Sequence, residues 1–298
     1  MTKERQGEIF VLIGAFFWGF FPIVTILSLN SLYPLSSLAW STVLTTILFA
    51  GILTVKKSWK ELKNRSALID ILLATIFNSF LYYVFFFIGL KYTSAGNASI
   101  IALTEVLFSF LFFHIWRKDY ISKEHIGGAV LMFAGAIIVL YPNLTGFKMG
   151  DILILCAAFV APFGNFLQQK ARRKVSSETI LFVRNLAAVP LIFLTAFFLN
   201  QISPFSDLKH SIILILLNGL ILLGLAKILW IESIHRISVT KAVALSSFNP
   251  LITVFFAWII LSDTPTFFQL FSLAPMILGV ILLGINKKQE KVEFQTTP

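Results

Sequence analysis

Ten apolar runs, each long enough to cross a bilayer as a helix, follow one another along the chain with only short breaks between them. A hydrocarbon core about 30 Å thick requires roughly 20 apolar residues per helix. The 298-residue chain is 57% hydrophobic and 13% charged, whereas about a quarter of the residues of a soluble domain are charged. The sequence therefore predicts an all-α integral membrane protein. The predicted spans are 8–28, 35–55, 67–90, 97–116, 125–141, 150–169, 178–199, 211–233, 241–261 and 266–285.

The basic residues lie almost entirely on one side of these predicted spans. Nineteen of the 24 Lys and Arg residues fall on the side that holds the N-terminus, three fall on the other side, and Arg184 and Lys227 lie within spans. By the positive-inside rule, both termini are expected to be cytoplasmic. We expect a multi-pass protein of the cell (inner) membrane. Since topology explains the net charge of +10, no nucleic-acid partner is expected.

An internal repeat divides the ten spans into two sets of five. SAGNASIIALTEVLFSFLFF (94–113) matches SVTKAVALSSFNPLITVFFA (238–257), and GEIFVLIGAFF (7–17) matches GDILILCAAFV (150–160). Because five is odd, the second copy enters the membrane from the opposite side, which gives an inverted repeat. Folds of this kind bind substrates near the midplane and work by alternating access. The predicted units are 1–146 for the first repeat, 147–288 for the second repeat and 289–298 for a cytoplasmic tail.

The two five-span halves resemble the drug/metabolite transporter superfamily, in its EamA-like branch. The matching segments are GNASIIALTEVLFSFLFF with GGAVLMFAGAIIVL, and KAVALSSFNPLITVFFAWIILSD with PMILGVILLG. The family usually has a proline in the fourth span of each half. Pro250 matches that pattern, whereas Val106 occupies the other position. The resemblance implies a ten-span permease that moves amino acids and other small metabolites, often outward.

Glu105 and Asn249 are equivalent in the repeat, because each is the ninth residue of its span. At 1.5 Å per residue, each lies about 12 Å into the membrane, near the midplane. A carboxylate at that depth costs roughly 2.5–3.5 kcal/mol on insertion scales, so we expect a polar cavity there. Other polar and aromatic residues at a similar level are candidates for its wall. The predicted substrate-binding residues are Trp18, Tyr82, Tyr83, Glu105, Asn165, Lys227, Ser246 and Asn249, with Arg184 as an additional anion contact.

The two signs of charge in this set favour a zwitterionic substrate such as an amino acid. Glu105 is expected to receive a cationic group, and Lys227, aided by Arg184, a carboxylate. Glu105 can also exchange a proton, which suits coupling to protons or another ion. Two alternatives stay open. Glu105 and Lys227 can neutralise each other across the bundle. Both cations lie roughly 9 Å from a span end by helix rise and can snorkel to the interface, which the sequence slightly favours for Arg184.

Motifs of other functional classes are absent from the sequence. It contains no G-x-x-x-x-G-K-[ST], H-E-x-x-H or G-x-S-x-G segment, and its one cysteine, Cys156, offers no cysteine-based metal site. We expect no enzyme activity, cofactor or metal. The predicted function is secondary export of an amino acid or related metabolite. The alternative is uptake of an organic anion or other small metabolite, and a membrane-embedded enzyme or sensor is the rival from a different class.

Small residues recur on one face of the fifth and tenth predicted spans. Gly128 and Gly135 lie two turns apart on one, and Pro275 and Gly279 one turn apart on the other. Small faces let membrane helices approach closely. They predict that these two spans pack together, either within one chain or across a homodimer.

Overall fold

The computed structural model describes residues 2–115, 123–141 and 148–284. The described residues form helices joined by short connections and include no strand. Among them, nine helical segments are long and apolar enough to cross a membrane, and Phe267–Gly284 supplies a tenth apolar helix. The predicted all-α membrane fold is confirmed. The predicted junction between the repeats and the predicted tail 289–298 lie outside the described residues.

The ten spans are numbered here in chain order. Spans 1 to 5 are Lys3–Trp18 with Phe21–Leu29, Pro34–Val55, Arg65–Leu90, Ala95–Ala102 with Thr104–Phe110 and Leu111–Ile115, and Lys123–Leu140. Spans 6 to 10 are Met149–Arg172, Ser177–Phe198, Ile212–Arg236, Val239–Leu245 with Asn249–Leu261, and Phe267–Gly284. Two short helices, Trp59–Lys63 and Phe205–His210, lie in the connections.

Several spans are interrupted near their middle. Pro22 and Pro250 stand at the start of the second helix of spans 1 and 9. Proline lacks an N–H and clashes with the carbonyl four residues earlier, so each helix breaks just before it. Span 4 breaks at Leu103, the level equivalent to the break in span 9. Spans 3 and 8 instead pass through π-helical segments at equivalent levels, Thr75–Leu81 and Leu217–Leu225.

The most extensive helix contacts join the two halves and follow the repeat. Span 5 packs on span 10, span 2 on span 7, span 1 on span 8 and span 3 on span 6. A two-fold axis between the halves maps the pair of spans 5 and 10 onto itself, and likewise the pair of spans 2 and 7. The same axis maps the contact between spans 1 and 8 onto the contact between spans 6 and 3. The inverted repeat read from the sequence therefore describes how the halves pack.

The contact between spans 5 and 10 is reciprocal at the level of single residues. A Cβ atom on Gly135 would lie 2.2 Å from Cγ of Met276, and one on Gly279 would lie 2.8 Å from Cγ of Met132. These separations are too short for any side chain, so glycine is required at both positions. The small faces predicted on these spans are thus used inside one chain.

Ion pairs tie the halves together on the side of the membrane that holds the N-terminus. Asp70 of span 3 pairs with Nζ of Lys170 at 2.9 Å and of Lys174 at 2.6 Å, both at the end of span 6. Lys56 and Glu178 form a second pair between spans 2 and 7. These charged contacts close the bundle at one end of the cavity described below.

A carboxylate in the connection between spans 2 and 3 strengthens the same end. Glu61 accepts hydrogen bonds from the backbone N–H of Ser176 at 2.8 Å and from the hydroxyls of Ser176 and Thr179 at 2.7 Å. Burial raises the pKa of Glu61, but these hydrogen bonds outweigh burial and hold its pKa below the ordinary value. On the opposite side, Ser36 forms neutral hydrogen bonds with the backbone of Gln201 and Ser203 at 2.8 and 2.7 Å.

Candidate functional site

A cavity of about 100 Å³ lies between the two halves, at the level of the helix interruptions. Its wall is formed by spans 1, 3, 4, 6, 7, 8 and 9. One buried water requires roughly 10–15 Å³ of such volume, so the cavity can hold several waters or a small polar molecule. A carbonyl freed at the break in span 1, that of Gly19, accepts a hydrogen bond from Thr253 Oγ1 at 2.7 Å. At this break, a side chain from the other half satisfies the exposed backbone carbonyl.

All nine residues that the sequence analysis predicts for the site lie on this one cavity. They come from seven different spans and are brought together by the contacts between halves. The role of each in binding stays a prediction. The nine residues are Trp18, Tyr82, Tyr83, Glu105, Asn165, Arg184, Lys227, Ser246 and Asn249.

Glu105 is held by a network of side-chain amides. Its Oε1 accepts a hydrogen bond from Asn165 Nδ2 at 2.7 Å. The Oδ1 of Asn165 accepts three hydrogen bonds in turn. Their donors are Asn78 Nδ2 at 2.9 Å, Trp230 Nε1 at 3.2 Å and Gln168 Nε2 at 3.4 Å. These donors fix the orientation of the Asn165 amide, so that its N–H group points at the carboxylate.

Three members of this network were not in the predicted set. Gln168 follows Asn165 by three residues, and Trp230 follows Lys227 by three, so helical spacing alone places each on the cavity face of its span. Asn78 precedes Tyr82 by four residues, and both line the cavity although Asn78 lies in the π-helical segment of span 3. The spacing signal was therefore available for all three residues.

Arg184 is buried, with 2% of its surface exposed. Its Nη1 donates to Gln168 Oε1 at 2.5 Å, and it interacts electrostatically with Tyr83. Its Nε and Nη2 have no hydrogen-bond partner within the described part of the chain. The snorkelling alternative is therefore wrong for Arg184, because an acceptor and a polar cavity lie inside the bundle at its own level.

Lys227 is held against an aromatic wall. Its Nζ lies 3.5 Å from the centroid of the Trp18 ring and 5.8 Å from that of the Tyr83 ring. The Phe21 ring stacks on the Trp18 ring, with the two centroids 4.2 Å apart. Such an arrangement stabilises an ammonium group by cation–π attraction. Tyr83 and Lys227 are equivalent in the repeat, so their proximity marks the level at which the two halves meet.

Glu105 and Lys227 do not form a salt bridge with each other. Among the described residues, the ion pairs join other groups, and all of them lie at the end of the bundle that holds the N-terminus. The two charges attract each other without direct contact, and the alternative in which they neutralise each other across the bundle stays a prediction. Each also has a neutral partner, Asn165 for Glu105 and Trp18 for Lys227.

The span 9 wall adds polar atoms at the break in that span. Ser246 Oγ donates to the carbonyl of Val243 at 2.8 Å, which leaves its oxygen able to accept. The Oδ1 atom of Asn249 is buried without a hydrogen-bond partner among the described residues. A buried carbonyl oxygen in that state is stabilised by a donor from water or from a bound molecule.

An inverted repeat of helices around a polar cavity, with charges of both signs at the midplane, is the arrangement of a membrane transporter. Residues 5–141 and 148–285 each match the EamA-like transporter family. The chain therefore belongs to the EamA-like transporter family, and the predicted resemblance to the drug/metabolite transporter superfamily is confirmed.

Relatives in several organisms are transporters by name. The chain is 28% identical to an uncharacterized transporter of Archaeoglobus fulgidus, over 96% of this chain and 88% of the relative. It is 24% identical to an uncharacterized transporter of Methanothermobacter thermautotrophicus over the same shares. The uncharacterized transporter YyaM of Bacillus subtilis is 23% identical over 83% of each chain.

A solved crystal structure shares the fold. It superposes with a TM-score of 0.69 at 16% sequence identity and covers 94% of this chain and 96% of that chain. Together with the family match, this likeness supports a multi-pass membrane transporter.

Proposed function

We propose that this transporter exports a small zwitterionic metabolite of the amino-acid type by alternating access, across a cell (inner) membrane with both termini cytoplasmic. The proposal rests on one observation. A carboxylate, Glu105, and two cations, Lys227 and Arg184, line the same cavity, and none of the three forms a salt bridge within the described residues. A molecule that carries both an ammonium and a carboxylate group neutralises such a site when it binds.

The arrangement of the halves supports alternating access. The cavity lies where they meet, and the ion pairs at the N-terminal end join one half to the other, so opening that end requires pairs such as Asp70 with Lys170 to separate. The export direction rests on the family resemblance, and the orientation on the basic residues of the connections.

The first test is flux through the purified protein in liposomes loaded with a mixture of radiolabelled amino acids. The variant Glu105→Gln keeps an oxygen that can accept from Asn165 but removes the charge that faces the ammonium group. A hydrogen bond to a charged group contributes about 1.5–3 kcal/mol, so the variant is expected to lower the transport rate at least about tenfold.

Ser109→Ala is the matched control for this variant. Ser109 lies one turn beyond Glu105 on span 4, and its buried hydroxyl has no partner among the described residues. We expect its transport rate to equal that of the wild type, with both variants unfolding near the wild-type temperature. Equal rates for Glu105→Gln and the wild type would contradict the proposed role of the carboxylate.

Glu105 is also the candidate for proton coupling. It is the carboxylate that faces the cavity, and it can release its proton there when the ammonium group of a substrate arrives. We propose that substrate efflux consumes an inward proton gradient. A pH-sensitive dye inside the liposomes should record proton movement with the wild type that depends on substrate, and none with Glu105→Gln. Substrate flux without any proton movement would assign the coupling to another ion.

A second candidate function is uptake of an organic anion, and the excess of cations in the cavity favours it. Two positive groups, Lys227 and Arg184, face one carboxylate. Dicarboxylates and amino acids should be compared in the same liposome assay. Flux of a dicarboxylate that exceeds that of every amino acid would favour this alternative over the zwitterion.

A further inference from the structure

Arg184 interacts with Tyr83 and Gln168, yet two nitrogens of its guanidinium group form no hydrogen bond within the described part of the chain. Nη1 is engaged by Gln168 Oε1 at 2.5 Å, whereas Nε and Nη2 are both buried and unpaired within the described part of the chain. The Nε–H and one N–H of Nη2 are parallel donors on the same side of the planar group. This edge matches the two oxygens of a carboxylate and binds them side by side.

A buried guanidinium in this state is expensive unless something occupies its free edge. Removing a charge from water costs several kcal/mol, and protein interiors normally offset that cost with an opposite charge and hydrogen bonds. Among the described residues, no carboxylate pairs with Arg184. Its side chain lines the central cavity, so the missing anion has space to bind there.

Arg184 suits a carboxylate better than Lys227 does. The ammonium group of Lys227 already lies 3.5 Å from the centre of the Trp18 ring, where cation–π attraction stabilises it. A lysine is a point charge, whereas the guanidinium is a rigid fork that Gln168 holds in one orientation.

The same Gln168 donates to Asn165 Oδ1 at 3.4 Å, and Asn165 donates to Glu105 at 2.7 Å. One chain of amides therefore fixes the position of the unpaired guanidinium edge relative to the carboxylate.

We propose that Nε and Nη2 of Arg184 form the carboxylate subsite of the substrate cavity, with Glu105 at the far end of the same amide chain receiving the ammonium group. This inference deepens the proposed function and rests on it. It assigns the anionic end of the substrate to Arg184, and it leaves Lys227 as a general source of positive potential in the cavity wall.

The test compares each of the twenty standard amino acids with its carboxamide, in thermal unfolding of the purified wild-type protein. The carboxamide keeps the side chain and the ammonium group but removes the carboxylate. Two charge-assisted hydrogen bonds predict that at least one amino acid binds more tightly than its amide by at least about tenfold. Equal binding of acids and amides, or no stabilisation by any acid, would overturn the proposal without need of a variant.

Three variants assign the preference to Arg184. Arg184→Lys keeps the charge but not the fork, and Arg184→Gln removes both. We expect both variants to lose the preference for acids over amides. Arg173→Gln removes an exposed guanidinium at the end of span 6 and is expected to keep the preference. Retention of the preference in Arg184→Lys would place the carboxylate elsewhere.

Liposome flux on the same preparations separates this subsite from the proposed function. Transport of an amino acid at the same rate as its amide overturns the Arg184 subsite and leaves a transporter of ammonium compounds. Absence of flux for every amino acid, amide and dicarboxylate overturns the proposed function together with the subsite.

Discussion

Two polar clusters occupy equivalent places in the two halves, and only one of them lies on the cavity. The amide cluster comprises Asn78, Asn165, Gln168 and Arg184, on spans 3, 6 and 7. The hydroxyl cluster comprises Thr25, Ser41, Thr45 and Asn218, on spans 1, 2 and 8, which are the repeat counterparts of spans 6, 7 and 3. Every member of the amide cluster lines the cavity. No member of the hydroxyl cluster lies in the part of the cavity wall that the described residues form.

The two clusters differ in the partners that their polar groups have. The single hydroxyl hydrogen of Thr45 lies within reach of two carbonyls, that of Gly219 on span 8 at 2.6 Å from Oγ1 and that of Ser41 on its own helix at 2.9 Å. Ser41 Oγ is buried without a partner among the described residues, and it lies away from the cavity. In the amide cluster, Gln168 bonds to both Asn165 and Arg184 at the cavity wall. The repeat sets the level at which polar groups lie, and the packing of the helices decides which of them reach the cavity.

The largest expected difference between the two clusters comes from replacing one asparagine in each cluster by an isosteric leucine. Asn78→Leu removes the shortest hydrogen bond to Asn165 Oδ1, at 2.9 Å, and so loosens the amide that holds Glu105. Asn218→Leu removes long contacts to Thr25 at 3.4 and 3.5 Å. We expect Asn78→Leu to lower transport at least about tenfold and Asn218→Leu to leave transport unchanged.

Liposome flux measures the first quantity, and thermal unfolding of both variants provides the control for folding. Each variant is expected to lose about 1 kcal/mol of stability. Equal losses of transport in the two variants would mean that the hydroxyl cluster also takes part in the transport cycle.

A pair of glycine variants separates packing from function. A Cβ atom at Gly164 would lie 2.3 Å from Cγ of Asn78, and one at Gly219 would lie 2.6 Å from the carbonyl oxygen of Ser41. Overpacking of this kind typically costs about 1–3 kcal/mol of folding free energy. Both alanine variants should therefore be less stable by about that amount and unfold at a lower temperature. Gly164→Ala should also reduce transport, because it displaces a member of the amide cluster. If folded Gly164→Ala protein transports at the wild-type rate, the position of Asn78 does not matter to the substrate.

The smallest expected effect comes from the unpaired hydroxyl of Ser41. Its Oγ atom is buried and has no hydrogen-bond partner among the described residues, so burial of the group is not compensated. Removing it in Ser41→Ala should raise stability slightly, by up to about 1 kcal/mol, with no change in flux. Thermal unfolding and liposome flux check the two statements, and a clear loss of stability would show that Ser41 makes a contact through water.

The apolar runs and the repeat in the sequence were sufficient to predict the fold and nine residues of the cavity wall. Lipid imposes a strict requirement on composition and length, so apolar runs reveal the spans directly. An odd number of spans per repeat then implies a two-fold relation between the halves, and the equivalence of Glu105 with Asn249 and of Tyr83 with Lys227 places these residues at one level. All nine predicted residues lie on one cavity for that reason.

Partners and orientations were decided only by the tertiary structure. The sequence left open whether Glu105 meets Lys227, and it slightly favoured snorkelling over burial for Arg184. The contacts between spans 4 and 6, and between spans 1 and 8, determined that Glu105 is held by Asn165 and Lys227 by Trp18. Helical spacing tells which face a residue occupies, but a π-helical segment or a break shifts that face. Which donor reaches which acceptor therefore depends on how helices distant in the sequence pack against each other.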